Sequence, residues 1–264
     1  MSDAASNSHP SSFVWYEFHT PDTKAAQAFY QAIFHWTTND AGSPDRPYTI
    51  INADRVGIGG FLQKPPASFA SGATPYWIGY IGVADLDTAL AKHQKLGGKV
   101  HRAAETIPGV GHFAVVADPQ GAIFVLFQPA NAQQQLERPK AGSLGSPAWH
   151  DLAAIDWESD FTYYADMFGW TKSTAMEMGP NGVYQIFASG SQPIGGMMTR
   201  MNPTQPPGWL FYFHVEHDIQ QAIDRVKQHG GTVIHGPSEV PGGQKIAHCL
   251  DPQGAIFAMV TAAA

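Results

Sequence analysis

The chain has 264 residues, of which 44% are hydrophobic and 14% charged, and its formal net charge is −7. That composition excludes a disordered chain and is enough for two domains of ordinary size. The acidic balance, with no dense Lys/Arg cluster, excludes nucleic acid and anionic membrane as partners, and no apolar run approaches the roughly 18 residues of a membrane span.

Cys249 is the single cysteine. No intrachain disulfide can form, and the cytoplasm is the expected location. Residues 1–10 are rich in Ser, Ala and Asn with no apolar core of a signal peptide, and they read as a disordered tail.

Phe13 to His19 alternates as a strand. Thr20 is a candidate N-cap, Pro21 suits the first helical position, and Asp22 suits the first turn. Ala26, Phe29, Tyr30, Ile33 and Phe34 then keep the spacing of one buried helix face. Short β-like runs follow at Tyr48–Asn52 and Val56–Gln63, and another strand at Tyr76–Val83. A second helix spans Asp85–Leu96, with Leu86, Ala89 and Leu90 inward and Gly97 just past its end. Strands at His112–Ala117 and Ala122–Gln128 flank Asp118-Pro119-Gln120-Gly121, a sequence suited to a type I turn. Pro129 to Pro147 lacks apolar periodicity and reads as a linker.

The order then repeats. Asp118-Pro-Gln-Gly-Ala-Ile-Phe124 recurs as Asp251-Pro-Gln-Gly-Ala-Ile-Phe257, Gly97-Gly98 as Gly230-Gly231, and Ile58-Gly59-Gly60 as Ile194-Gly195-Gly196. Phe34-His35-Trp36 returns as Phe168-Gly169-Trp170, and Trp15 as Trp149. Ordered matches at a nearly constant offset mean a duplicated domain and not a solenoid. The second-copy helices fall near Asp156–Phe168 and Asp218–His229. The expected organisation is a tail (1–10), a first domain (11–130), a linker (131–146) and a second domain (147–262). Each domain is α+β, built of two βαβββ modules.

This series of motifs resembles the vicinal-oxygen-chelate superfamily of glyoxalases, bleomycin-resistance proteins and extradiol dioxygenases, in its tandem glyoxalase-like subgroup. The resemblance rests on Pro21, Asp22, Ala28, Phe29, Tyr30, Phe34 and Trp36, on Leu96-Gly-Gly-Lys-Val100, and on the Asp-Pro-Gln-Gly turn with its following Phe; the second copy keeps Asp156, Tyr163, Tyr164, Phe168 and Trp170, the Gly-Gly-x-Val segment and the turn, in the same order. It implies two tandem glyoxalase-like domains whose mixed sheets curl into cups with the helices outside. It also implies a divalent ion in each cup of the metal-using members. The implied ligand positions fall on Trp15 and Trp149, near Ile78, near Leu210 or Phe211, and on Val125 and Ala258, none of which binds a metal. The usual ligand set is missing, and glyoxalase I and extradiol dioxygenase chemistry both depend on it. No cofactor is expected, with a divalent metal on other ligands left open.

Alternation along the first strand puts Trp15, Glu17 and His19 on one face, and Trp149 and Asp151 on the matching face of the second copy. Glu17 and Asp151 are the candidate catalytic acids or bases; a structural carboxylate is the competing role. Trp15, Trp77, Trp149 and Trp209, at the starts of the four module strands, are candidates for an aromatic ligand wall or for core packing. His19, His112, His150, His214 and His248 complete the candidate ligand-binding set. His150 and Asp151 are adjacent on a strand and point to opposite faces, which works against a shared ion. His9, His35, His93, His101 and His229 read as surface residues, and Cys249 as buried and inert.

The leading expectation is a small-molecule-binding protein or metal-independent enzyme with an aromatic-lined cup and a strand carboxylate. A metal-dependent lyase, isomerase or dioxygenase using His150, His214 or His248 is the alternative, and a non-catalytic resistance-type sequestering protein is the third. The expected partner is a small molecule. Four modules can pair within one chain, so a monomer suffices and a homodimer stays open.

Overall fold

The computed structural model describes residues 11–43, 47–69, 73–131 and 137–262. The expected tail, His9, and residues 132–136 of the expected linker lie outside them. Each quarter of the chain is a strand, a helix and three strands. The first is β1 (Phe13–Thr20), α1 (Thr23–Phe34), β2 (Thr37–Asp40), β3 (Tyr48–Ala53) and β4 (Val56–Gln63). The second is β5 (Tyr76–Gly82), α2 (Leu86–Lys95), β6 (Lys99–Ile107), β7 (Gly111–Ala117) and β8 (Ile123–Pro129). The third is β9 (Pro147–Ala154), α3 (Trp157–Phe168), β10 (Thr171–Glu177), β11 (Val183–Ser189) and β12 (Gln192–Thr199). The fourth is β13 (Gly208–Val215), α4 (Ile219–Gln228), β14 (Thr232–Glu239), β15 (Lys245–Leu250) and β16 (Ile256–Thr261).

The strands form two eight-stranded sheets ordered β2-β3-β4-β1-β5-β8-β7-β6 and β10-β11-β12-β9-β13-β16-β15-β14. Both are mixed: β1 runs parallel to β4, β5 to β8 and β13 to β16, while the outer strands are antiparallel. This is the α+β architecture of two tandem glyoxalase-like domains.

All four helices start on an aspartate. Asp22 accepts a hydrogen bond from the Ala25 amide, Asp85 from Thr88, Asp156 from Glu158 and Asp218 from Gln220, each satisfying an amide the helix leaves unpaired. Asp22, not Thr20, caps α1. The Thr20 hydroxyl accepts from the Asp22 amide and donates to Gln253 Oε1 instead. α1 buries Phe29, Tyr30, Ile33 and Phe34, each contributing about 1.5–3 kcal/mol of transfer free energy.

The backbone gathers into two compact units that do not follow the two halves of the sequence. A mid-chain unit takes Met1–Phe13, Tyr80–Gln135 and Leu152–Gly208, and an end-chain unit takes Val14–Gly79, Leu136–Asp151 and Trp209–Ala264. Each closes with the same device. In the end-chain unit the Tyr30 hydroxyl of α1 donates to Asp251 Oδ2 at 3.0 Å, and Asp251 Oδ1 accepts the turn amides of Gln253 and Ala255. In the mid-chain unit Tyr164 of α3 donates to Asp118 Oδ2 at 3.0 Å, and Asp118 Oδ1 accepts the amides of Gln120, Gly121 and Ala122. The aspartate of the repeated turn therefore holds the turn with one oxygen and a helix with the other.

The units differ beneath this device. His93, expected at the surface, is fully buried in the mid-chain unit, and its Nδ1 lies 2.6 Å from the Tyr163 hydroxyl. Asp160, one helical turn before Tyr164, is 1% exposed, and both its carboxylate oxygens lack a hydrogen-bond partner among the described residues. Burial, with Asp118 and Asp156 nearby, pushes its carboxyl up to about 8. In the end-chain unit the repeat puts Val226, Phe29 and Ala26 at the matching positions.

Candidate functional site

On β1, Phe18 packs against Tyr30 of α1 with ring centroids 5.2 Å apart. That face, which carries Tyr16, Phe18 and Thr20, is the helix side of the sheet. Trp15, Glu17 and His19 point the other way. The Trp15 indole donates to the Tyr48 hydroxyl at 2.8 Å. Tyr48 lies flat over Gly60, where a β-carbon would come within 2.2 Å of its hydroxyl, and a β-carbon at Gly59 would come within 2.0 Å of the Tyr16 carbonyl oxygen. The paired glycines thus give a ring and a backbone room to approach, and Gly196 does the same for Tyr184.

Beside Trp15, His19 Nε2 is 2.5 Å from Glu17 Oε1, and His19 Nδ1 is 2.8 Å from the Tyr76 hydroxyl. Glu17 and His19 are each 7% exposed, while Tyr76 is 44% exposed. Burial, then the Glu17 charge, raises the Tyr76 pKa, so its hydroxyl keeps its proton.

The second copy builds a different chain from the same strand. The Tyr212 hydroxyl donates to Asp151 Oδ2 at 2.6 Å and lies 2.7 Å from His248 Nε2. A phenol has one proton, and Tyr212 gives it to the carboxylate; His248 must therefore donate from Nε2. His248 is kept neutral by burial and by His235 beside it, which together push its pKa down to about 4. Tyr212 packs with Ala258 and Val260 in an apolar cluster flanked by Ala148, Trp149, Leu210 and Ile246.

The structure therefore groups Trp15, Glu17 and His19 on one patch, and Trp149, Asp151 and His248 on another. Both patches lie within the end-chain unit. The other candidates stand apart. His150 points to the helix side, where Nε2 meets the Tyr16 hydroxyl at 2.6 Å and the rings stack. Trp77 packs against Phe18 and Phe213 and donates to the Tyr30 hydroxyl at 3.0 Å. Strand alternation puts Trp209 on the same face as Phe211 and Phe213. His214 Nδ1 meets Ser146 Oγ at 3.0 Å. In the mid-chain unit, His112 Nδ1 meets the Thr106 hydroxyl at 2.9 Å, on the face opposite Val115 and Phe113. Cys249 is fully buried and its thiol is pushed up to about 12. A groove of about 410 Å³ beside Ile223, Lys227, Thr232 and Pro237 holds none of these groups.

Tyr48, Tyr76 and Tyr212, the partners that complete both patches, are not among the residues expected from sequence. A tyrosine in a strand reads as ordinary β-propensity, and Tyr212 lies 61 residues from Asp151 and 36 from His248.

Residues 148–259 match the model of the Glyoxalase/Bleomycin resistance protein/Dioxygenase superfamily. That match covers most of the second half of the chain. The first half repeats its motifs and its strand and helix order. CFP32 of Mycobacterium tuberculosis, provisionally named a glyoxylase, is 29% identical over 248 residues, covering 93% of both chains. The anthracycline biosynthesis protein DnrV of Streptomyces peucetius is 26% identical over 264 residues, covering 95% of this chain and 93% of its own. Among solved structures, the Mn(II)-bound glyoxalase from Novosphingobium aromaticivorans matches with a TM-score of 0.66 at 14% identity, over 97% of this chain and 83% of that one. Homoprotocatechuate 2,3-dioxygenase from Arthrobacter globiformis matches with a TM-score of 0.68 at 16% identity, over 96% and 80%.

The superfamily's metal does not fit these residues at its usual place. Val125 and Ala258 stand at the last-strand ligand positions, 1% and 0% exposed among apolar side chains. Trp15 and Trp149 stand at the first-strand positions. Asp151 and His248 are turned onto the Tyr212 hydroxyl. Among the described residues no three His, Cys, Asp or Glu side chains converge in a way that could hold a metal ion. No helix of the described residues is long and apolar enough to cross a membrane.

Proposed function

We propose that this chain is a small-molecule-binding protein of the glyoxalase superfamily that works without the superfamily's metal, using strand carboxylates beside aromatic walls. The observation that carries the reading is the Asp151–Tyr212–His248 chain. It sits in the cluster around Ala258, where the resemblance implies a metal ligand. An acid, a phenol and a neutral imidazole there can orient a ligand hydroxyl or carbonyl and move a proton without a Lewis acid. Trp149, packed against the same cluster, supplies an apolar wall. The relatives named for glyoxylase and anthracycline biosynthesis agree with a small organic ligand.

Two measurements test this. Metal analysis of tag-free protein purified without chelators should find no stoichiometric iron, zinc, nickel, manganese or magnesium; about one ion per chain surviving dialysis overturns the reading. Small aromatic compounds that quench tryptophan fluorescence should bind at least tenfold more weakly to Asp151→Asn and Tyr212→Phe. Equal binding by both variants would remove the chain from the site.

A further inference from the structure

We propose that Tyr76, His19 and Glu17 form a proton relay, with Tyr76 as the group that meets the ligand, His19 as the proton store behind it, and Glu17 as the counter-ion. The geometry is an ordered line. Glu17 Oε1 is 2.5 Å from His19 Nε2, and His19 Nδ1 is 2.8 Å from the Tyr76 hydroxyl. Among the described residues His19 bonds to these two alone. A carboxylate only accepts hydrogen bonds, so the Nε2 facing Glu17 carries the ring proton. The neutral ring then leaves Nδ1 bare, and the Tyr76 hydroxyl points its proton at it. The phenol oxygen keeps its lone pairs for a ligand. This is the arrangement of an activated hydroxyl: a base within hydrogen-bond reach of it, and a third group that fixes the base's tautomer.

Burial grades along the line as a relay requires. Glu17 and His19 are 7% exposed, and only Tyr76, at 44%, reaches solvent. The tilted contact of the His19 and Tyr76 rings, with centroids 4.8 Å apart, holds the phenol in place. The second copy does not reproduce the line. Its strand has Ala153 where the first has His19, and Gly208 where the repeat places Tyr76. Its own chain ends on an imidazole instead of a phenol, so the two patches offer a ligand different terminal groups.

The transfer balances without an oxidant or a metal. A ligand hydroxyl gives its proton to the Tyr76 oxygen as Tyr76 gives its own to His19 Nδ1. The ligand is left as an oxyanion and His19 as an imidazolium held by the Glu17 carboxylate; the reverse transfer returns the proton. Trp15 and Tyr48 share the Glu17 face, so the ligand class is a planar small molecule with a weakly acidic hydroxyl. The ligand class rests on the reading of these patches as binding sites, whereas the relay itself does not.

Nitrogen-15 NMR of the full-length protein tests the relay without any ligand, with His19 assigned by its loss in His19→Gln. The neutral ring should carry its proton on Nε2 in the wild type, and Glu17→Gln should release it into a mixture of tautomers. A wild-type ring protonated on Nδ1, or a tautomer unchanged by Glu17→Gln, overturns the relay. 4-Nitrophenol, whose anion absorbs in the visible, tests the ligand class. Bound probe should be ionised at a pH where free probe is not, and Tyr76→Phe should reduce that ionised fraction at least tenfold while tryptophan quenching persists. Quenching with unchanged ionisation in Tyr76→Phe removes Tyr76 as the contact group. Absence of quenching in the wild type removes the ligand class and leaves the NMR result standing.

Discussion

Two ionisable residues, the half-buried His248 and the buried Asp160, set opposite pH responses. His248 holds its proton only below about pH 4 in the folded chain, whereas an unfolded histidine takes one up near 6.5. Between those values the unfolded state binds more protons, so stability rises with pH through this window, by about 3 kcal/mol in all. Asp160 runs the other way. Its folded carboxyl keeps a proton up to about pH 8, and the unfolded group loses it near 3.9. The folded state therefore binds more protons across that range, and stability falls as pH rises towards 8. Asp160→Ala, the residue the repeat carries at Ala26, should stabilise the protein at pH 8 by about 1–3 kcal/mol and do little at pH 4. Urea denaturation of wild type and variant at both pH values measures this; a variant less stable at pH 8 contradicts it. Neither response is legible in the sequence. His248 meets Tyr212 from 36 residues away, and Asp160 lies under the charge of Asp118 from 42 residues away, so no local spacing marks either environment.

The repeated elements were legible because each carries a local reason for its shape. The α1 and α4 stripes, the turn at Asp118 and Asp251, and Gly97 just past α2 with φ +89° all stand where the pattern puts them. β2, β6, β10 and β14 escaped because they are edge strands with mostly exposed side chains, so they show no alternation to read. The paired glycines stand out in the sequence only as a repeated motif, and the ring and carbonyl that approach them come from other strands. Gly60→Ala tests that approach. Its β-carbon would overlap Tyr48, costing about 1–3 kcal/mol, and would push that ring off the Trp15 indole. A changed tryptophan emission together with a lowered urea midpoint is the expected result. A neutral substitution would mean that Tyr48 is free to move aside. The same logic explains the partly legible site. Alternation correctly grouped Trp15 with Glu17 and His19, but the tyrosines that complete both hydrogen-bonded chains come from other strands, and no short-range spacing marks them.

At the scale of the molecule, the sheets follow the duplication while the compact units do not. The end-chain unit joins Val14–Gly79 to Trp209–Ala264, with Arg225 of α4 donating to the Ile33 carbonyl and to Glu216. A fragment comprising residues 11–131 carries all of β1 to β8 but only part of each compact unit. Expressed alone, it should lack the cooperative urea transition and dispersed NMR spectrum of the full chain, and co-expression with residues 137–262 should restore both. A fragment that folds cooperatively as a monomer would show that each half is self-sufficient. The bond between Tyr30 and Asp251 sets a further condition. The two residues are 221 apart in sequence, so at about 5–20 residues per second a ribosome makes the second about 10–45 s after the first. Through that interval the nascent α1 holds Phe29 and Tyr30 without Phe257 and Asp251, the partners made last. The end-chain unit is thus completed after translation reaches the last module, and chaperone occupancy of ribosomes carrying this message should persist into its final fifth.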